Sequence, residues 1–449
     1  MIGIRVISIA AWCFALCMPS VAHALSIDEA RHLLTRTGFG APWAEVDALR
    51  GLSREAAVDR LLGQVRREAI TPAPDLESLR ATVRVRDMSE DQKRAIRRER
   101  RAGNLALMRW WYREMLDTPS PLTERMTLFW HNHFTSSLRK VKNARLLLRQ
   151  NQLLRQHALG RFDVLLHDIT RDAAMIRYLD GQSNRKGAPN ENFARELMEL
   201  FTLGEGRFSE SDVREAARAF TGWVVNREGR VRFLRGRHDY GSKTVLGARG
   251  RFDGTQLINL LLRQQRTAEH VTEKLWREFV SPDPDPEQVN HLAGILRDRG
   301  YDITALMRAL LLSEDFWAPE NRGVLIKSPV ELMVGTIRQL EINIVGERRL
   351  VAGGKALGQV PFSPPNVRGW PGHTAWITSD TLLARQRMVD RLLRRMGTRR
   401  GTRLAPPPVN SAGLARWLLA VPAVDEHPGV DDRTQTIAQL LSDPAYQLK

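Results

Sequence analysis

The chain has 449 residues, of which 27% are charged, and its formal net charge is +17. A chain of this length can bury a sizeable core without crosslinks. Its two cysteines, Cys13 and Cys17, both lie within the first 24 residues. Disulfides, thiolate metal sites and cysteine nucleophiles are therefore excluded from the rest of the chain.

Residues 1–24 have the pattern of a secretory signal peptide. Arg5 precedes an apolar run over 6–18, and Ala22-His23-Ala24 matches a cleavage site. No later segment offers the roughly 18 apolar residues that a membrane-spanning helix needs. We therefore predict a periplasmic or secreted protein that begins near Leu25 and has no transmembrane anchor after cleavage. The alternative is an uncleaved N-terminal anchor.

The positive charge has two interpretations. Export argues against nucleic acid as a partner and favours an anionic glycan or lipid. Alternatively, the charge is only a matter of composition, because arginines are scattered over most of the predicted helices. The one concentrated run, from Lys93 to Arg101, is typical of a solvated helix face.

Helical periodicity predicts a mainly α fold, a single large multi-helix domain over residues 25–449. We expect an N-terminal helical unit (25–104), a main helical body (105–396) and C-terminal helices (410–449). Helices are predicted at residues 27–37, 43–49, 54–64, 93–104, 105–116, from 121 onward, 143–157, 162–167, 172–178, 191–203, 210–223, 256–263, 268–279, 286–299, 303–313, 328–340, 382–396 and 412–419.

Three local patterns refine this expectation. Alternating residues around the turn-forming stretch 226–229 predict a small β-hairpin over 223–234. Ser328 and Glu331 have the spacing of a capping box. Residues 360–377 are rich in proline and glycine, include Phe362, Trp370 and Trp376, and show no period. They predict a long loop that packs through its aromatic residues.

The first candidate site is the stretch 129–134, in which His131 and His133 are candidate metal ligands. Residues two apart on an intact helix face different sides, so a shared metal site requires the helix to end near Asn132. The alternative for His133 is a hydrogen-bonded histidine of the core.

The second candidate site lies in residues 189–201. Asn192, Glu196 and Glu199 form one polar stripe of a predicted helix. Carboxylates one turn apart can hold a divalent cation or act as acid and base. Arg195 lies four residues from both Glu191 and Glu199, so plain surface ion pairs are the alternative.

The third candidate site is His238, Asp239 and Lys243, in the loop after the hairpin. Loops held by a rigid scaffold often carry catalytic groups. They also collect polar residues simply because they are solvated.

The segments 130–134, 190–204, 217–223, 238–247, 327–331 and 365–372 together resemble a secreted bacterial family catalogued as domain of unknown function 1800. The resemblance covers nearly the whole mature chain. It implies an exported protein and no particular activity. It also implies a partner or shared pathway with an exported protein of sulfatase-like fold. This chain has Phe201 where relatives often carry histidine.

Our leading hypothesis is an exported hydrolase with one pocket. Its residues are His131 or His133 with Glu196, Glu199, His238, Asp239 and Lys243, and its binding residues are Asn192, Arg195, Arg368 and Trp370. Zinc, manganese or iron would suit such ligands better than calcium. Without a metal, His238 would be the base and Glu196 or Glu199 the acid.

The alternative hypothesis is a non-catalytic protein. It would bind the sulfatase-like partner or an anionic surface glycan through its arginine-rich helices and the loop 360–377.

Overall fold

A computed structural model describes residues 24–77, 79, 88–343, 346–396, 407–425 and 432–449. Residues 1–23, and with them nearly all of the predicted signal peptide, lie outside this part of the chain. Helices dominate the described residues, and one continuous cluster of buried apolar side chains extends from Leu25 to Tyr446. The predicted mainly α, single-domain fold is confirmed.

In chain order the helices are α1 (Ile27–Thr37), α2 (Trp43–Leu49), α3 (Arg54–Gly63), α4 (Glu90–Asp117), α5 (Pro121–His133), α6 (Leu138–Val141), α7 (Ala144–Gln156), α8 (Phe162–Ile169), α9 (Ala173–Tyr178), α10 (Asn192–Glu196), α11 (Glu210–Ala219), α12 (Gly254–Leu262), α13 (Gln265–Phe279), α14 (Pro286–Asp298), α15 (Ile303–Leu312), α16 (Glu314–Trp317), α17 (Pro329–Gln339), α18 (Arg348–Leu357), α19 (Ser379–Met396), α20 (Ser411–Leu418) and α21 (Arg433–Ser442). Many begin at a Ser, Asp or Asn side chain that accepts a hydrogen bond from the first turn. The capping box predicted for Ser328 and Glu331 is confirmed.

Two helices, α5 and α17, form the centre of the domain. Nearly every residue of each is buried, whereas a surface helix buries only one stripe. α5 packs against α1, α4 and α7, and α17 packs against α4, α18 and α19. The C-terminal end of α5, where His131 and His133 lie, is therefore deep inside the protein.

A buried ion pair links α5 to its neighbours. The Glu124 carboxylate accepts hydrogen bonds from Arg155 at 2.5 and 2.9 Å and from Trp111 Nε1 at 2.7 Å. All three side chains are at most 1% exposed. Such a pair is stable only when both charges are present, because either one alone would be buried without compensation.

α4 differs from the prediction. It is one 28-residue helix that continues through residues 104 and 105, where we expected a boundary between two units. Gly103 weakens the helical signal at this point. The glycine packs so closely on Leu79 that an added Cβ would lie 2.7 Å from Leu79 Cδ1, so tertiary packing favours glycine there.

The β content is small, as predicted. The expected hairpin is present as β1 (Trp223–Val225) paired antiparallel with β2 (Val231–Phe233). A second pair, β3 (Lys243–Val245) with β4 (Ala248–Gly250), was not predicted. Its two-residue turn places Leu246 at φ 50° and Gly247 at φ 77°. Leucine is unusual there, and a hydrogen bond from its backbone N–H to Asp212 stabilises the turn.

The loop 360–377 is packed, as its aromatic residues predicted. Phe362, Trp370 and Trp376 are at most 6% exposed. Among the helices of the described residues, none combines the length and apolar character of a membrane span.

Removing one charge of the buried pair should destabilise the protein. We expect Glu124→Gln to lower the free energy of unfolding by about 3 kcal/mol, because Arg155 keeps its charge in the core. Urea unfolding followed by tryptophan fluorescence measures this change. The control is Asp59→Asn, which breaks the exposed Arg308 ion pair and should leave the midpoint nearly unchanged. Equal effects of the two substitutions would contradict the prediction.

Candidate functional site

The C-terminal end of α5 is bound to the loop 360–377 through Asn132. The Asn132 side-chain oxygen accepts a hydrogen bond of 2.7 Å from the backbone N–H of Trp370. Gly369 lies against the same asparagine with φ 82°, and an added Cβ would overlap the Asn132 side chain and lie 2.8 Å from its backbone oxygen. Glycine is therefore required at this position, both for its φ and for the close approach.

His131 also holds this loop. Its Nε2 accepts a hydrogen bond of 3.2 Å from the backbone N–H of Phe362, and its ring contacts Trp111 and Trp370. Burial lowers the pKa of His131 to about 3, so the imidazole is neutral. Since Nε2 is already an acceptor, that atom has no free lone pair for a metal ion.

His133 lies in different surroundings. Its ring is buried near Phe134 and Phe201, and its Nδ1 lies 3.1 Å from Lys274 Nζ. Burial holds the pKa of His133 well below its usual range, so its Nδ1 accepts the hydrogen bond from the lysine. Its Nε2 is buried without a hydrogen-bond partner among the described residues.

The two histidines therefore do not share a ligand. A shared metal site required the helix to end near Asn132, but α5 continues through His133. In the part of the chain that the structure describes, no group of three or more His, Cys, Asp or Glu side chains is arranged to hold a metal ion. Phe201, which packs on His133, supplies no ligand.

The predicted helix 191–203 changes its geometry halfway. α10 is followed directly by a π-helical segment, Leu197–Thr202, whose wider turn frees backbone carbonyl oxygens. The Leu200 oxygen accepts hydrogen bonds from His270 at 3.0 Å and from Lys274 at 2.9 Å, both on α13. π-helical turns occur frequently at functional sites.

Glu196 and Glu199 lie on this turn in unequal surroundings. Burial, and then the charge of Glu199, raise the pKa of Glu196 above its usual range. Glu199 instead accepts a hydrogen bond of 2.9 Å from Arg368, which also pairs with Glu205. One carboxyl therefore has a raised pKa, while the other is paired with a cation.

The other residues of this stripe are only partly as expected. Arg195 pairs with Glu191 at 3.4 Å, but its closer partner is Glu210, at 2.6 Å, rather than Glu199. Asn192 is half-buried at the first position of α10. Glu196 lies one turn further along the helix.

His238, Asp239 and Lys243 form a second cluster. Arg218 of α11 donates to both Asp239 oxygens, and this ion pair lowers the pKa of Asp239 to about 2. Lys243 Nζ donates to the Asp239 and Gly241 carbonyl oxygens. His238 Nδ1 donates to the Thr221 carbonyl oxygen at 2.9 Å.

The contacts of this cluster are separate from those of Glu196 and Glu199. Asp239 binds Arg218 and does not orient His238, and no hydrogen bond or ion pair joins this cluster to Glu196 or Glu199 among the described residues. The roles of His238 as base and Glu196 as acid stay a prediction. His131, Glu196, Arg368 and Trp370 do lie around the end of α5 and the loop 360–377.

Comparison with known proteins now gives the family. The sequence model of the family described as Protein of unknown function (DUF1800) matches residues 32–448. The chain belongs to the DUF1800 family. No curated protein and no solved structure was found to match it.

A cleft of about 70 Å³ lies between the segments 130–134, 327–331 and 365–372, which are among those that resemble the DUF1800 family. Asn132, Ser328, Glu331, Trp370 and Gly372 are among its lining residues. Trp376 forms another apolar part of the lining, and its polar part also includes Arg277, Glu278, His373 and Lys449.

Sequence reasoning missed three residues that hold the candidate site in place: Asn132 at the loop, and His270 and Lys274 at the π-helical segment. Asn132 was treated only as the point at which a helix could end. His270 and Lys274 are four residues apart on α13, beside the apolar stripe that contains Val271 and Leu275. Polar residues at helical spacing beside an apolar stripe were the signal that could have found them.

Substituting Gly369 should release the loop. We expect Gly369→Ala to displace Trp370 and to shift tryptophan emission to longer wavelength, because the new methyl group would overlap Asn132. Gly372→Ala is the matched control: it also has positive φ, but its Cβ would meet nothing within 4 Å. Gly372→Ala should lower the free energy of unfolding by about 1–3 kcal/mol through backbone strain alone. Identical emission spectra for the two variants would contradict the prediction.

The buried neutral histidines predict a loss of stability in acid. Burial lowers the pKa of His270 to about 3, so below pH 6.5 the unfolded chain binds a proton that the folded protein excludes. Because of His270, the free energy of unfolding should fall by about 1.4 kcal/mol for each pH unit between pH 6.5 and 4. Urea unfolding at several pH values should show a shallower slope for His270→Gln than for the parent. The exposed residue His291, substituted His291→Gln, is the control, and an unchanged slope in both would contradict the prediction.

Proposed function

We propose that this protein is an exported hydrolase in which Glu196 is the general acid and Glu199 the general base. The observation that supports the proposal is the unequal environment of the two carboxyls. Burial and a neighbouring negative charge raise the pKa of Glu196, while Arg368 binds Glu199. Environments that differentiate two nearby titratable groups are typical of an acid and base pair.

The chemistry follows from these roles. Glu196 donates its proton to the leaving oxygen as the bond to that oxygen breaks. Glu199 accepts a proton from the attacking water, whose hydroxide portion joins the other fragment. Two carboxylates with these roles are the machinery of glycoside hydrolysis, so glycans are the substrate class to test first.

Two further residues position this pair. Lys274 donates to the Leu200 carbonyl oxygen and to His133, and so holds the π-helical segment against α5 and α13. Burial lowers the pKa of Lys274 to about 8. Arg368 is 59% exposed in its side chain and can exchange Glu199 for an anionic group of a substrate.

A non-catalytic glycan-binding protein is the second candidate. The cleft beneath the loop 360–377 combines Trp370 and Trp376 with Arg277 and Lys449. Aromatic and cationic groups together suit an anionic sugar. A sulfatase-like partner stays a prediction without a supporting contact, and export rests on the pattern of residues 1–24.

The test measures reducing ends released from acidic and neutral polysaccharides by residues 25–449. We expect Glu196→Gln to reduce the rate by about 100-fold or more, because the proton donor is lost. Activity of the parent should fall as the pH rises through the raised pKa of Glu196, since the acid must be protonated. The control is Glu210→Gln, an exposed carboxylate that pairs with Arg195. Full activity of Glu196→Gln would overturn the proposal, and glycan binding without cleavage by the parent would favour the second candidate.

A further inference from the structure

The turn and second strand of the first hairpin carry a dense positive charge. We call residues 226–240 the arginine hairpin; it contains β2, the turn before it and the loop after it. Five exposed arginines lie in this segment, at positions 227, 230, 232, 235 and 237. Among the contacts of the described residues, none of these five guanidinium groups has an ion-pair partner.

Several other exposed arginines of the described residues are paired, whereas these five are not. Arg195, Arg308 and Arg368 are each held by a carboxylate. Even the basic run of α4 is partly neutralised within its own helix, where Lys93 pairs with Glu90 and Arg94 with Asp91. The uncompensated charge of the hairpin is therefore available to an anionic partner.

Exposed apolar side chains accompany this charge. Phe233 is 38% exposed, Leu234 40% and Tyr240 56%. These three belong to one segment of eight residues, whereas the other exposed large apolar residues of the described chain occur singly or, at Leu382 and Leu383, as one adjacent pair. Those others are Ile70, Val164, Val324, Leu382, Leu383 and Val424.

The second cluster holds the base of the hairpin in place. The Leu234 N–H donates to the Gly222 carbonyl oxygen at 2.8 Å, and the Asp239 N–H donates to Thr221 Oγ1 at 2.8 Å. His238 Nδ1 also binds Thr221, and Arg218 holds the Asp239 carboxylate. These bonds fix the loop on α11, so its exposed side chains are presented on a rigid base.

We propose that the arginine hairpin binds the surface of an anionic phospholipid bilayer. The arginines would contact lipid phosphates, and Phe233, Leu234 and Tyr240 would enter the boundary between headgroups and acyl chains. Basic residues combined with exposed apolar ones are typical of segments that lie on a membrane surface. A soluble polyanion would use the arginines alone and would leave the apolar side chains in water.

The test is co-sedimentation of residues 25–449 with vesicles. The protein should bind vesicles of phosphatidylcholine with phosphatidylglycerol and not vesicles of phosphatidylcholine alone. We expect the double variant Phe233→Ser, Leu234→Ser to weaken binding by about tenfold. We expect the double variant Arg232→Gln, Arg235→Gln to weaken vesicle binding by at least about tenfold. This difference from the parent should be smaller at high salt, because salt screens the attraction between arginines and lipid phosphates.

Two matched controls test whether the effect depends on where the residues lie or only on which residue types are removed. Leu382→Ser, Leu383→Ser removes an equally exposed apolar pair elsewhere, and Arg97→Gln, Arg98→Gln removes the same charge from α4. Both controls should bind like the parent. Equal losses in controls and hairpin variants would overturn the proposal. The proposal would also be overturned if the Phe233 and Leu234 variant bound vesicles as tightly as the parent and bound soluble heparin equally tightly. That result would identify a polyanion site.

Discussion

The contact between Asn132 and the backbone of Gly369 and Trp370 is the constraint on which the candidate site depends. α5 lies at the centre of the domain, so its C-terminal end cannot move without disturbing its neighbours. The asparagine transfers that fixed position to a loop that has no regular structure of its own. Arg368, one residue before the glycine, is thereby placed beside Glu199.

Burial has opposite consequences for the groups around this contact. His131 and His133 are so enclosed that they stay neutral, and they serve as hydrogen-bonding parts of the scaffold. Glu196 is only half-buried, so burial raises its pKa without isolating it from solvent. A group that exchanges protons with a substrate needs this intermediate position, so Glu196 fits the role proposed for it better than either histidine does.

Sequence periodicity was sufficient for most of the fold because most helices have one apolar stripe and a recognisable cap, as at Ser328. It failed where tertiary contacts determine the geometry. The π-helical turn at Leu197–Thr202 depends on His270 and Lys274 from a helix far along the chain. The second hairpin depends on Asp212 holding Leu246. The sequence placed Arg368 in one pocket with Glu199, but the ion pair between them, across 169 residues, is visible only in the structure.

The three polar clusters looked equivalent in the sequence, yet the structure gives them different physical roles. Each charged side chain of the cluster at Asp239 is fully engaged with Arg218 or with backbone carbonyl oxygens. Its bonds hold the arginine hairpin. Glu196 has a raised pKa and a solvent-accessible position. A count of ionisable residues therefore cannot distinguish a scaffold from a reactive site, whereas the partners of each residue can.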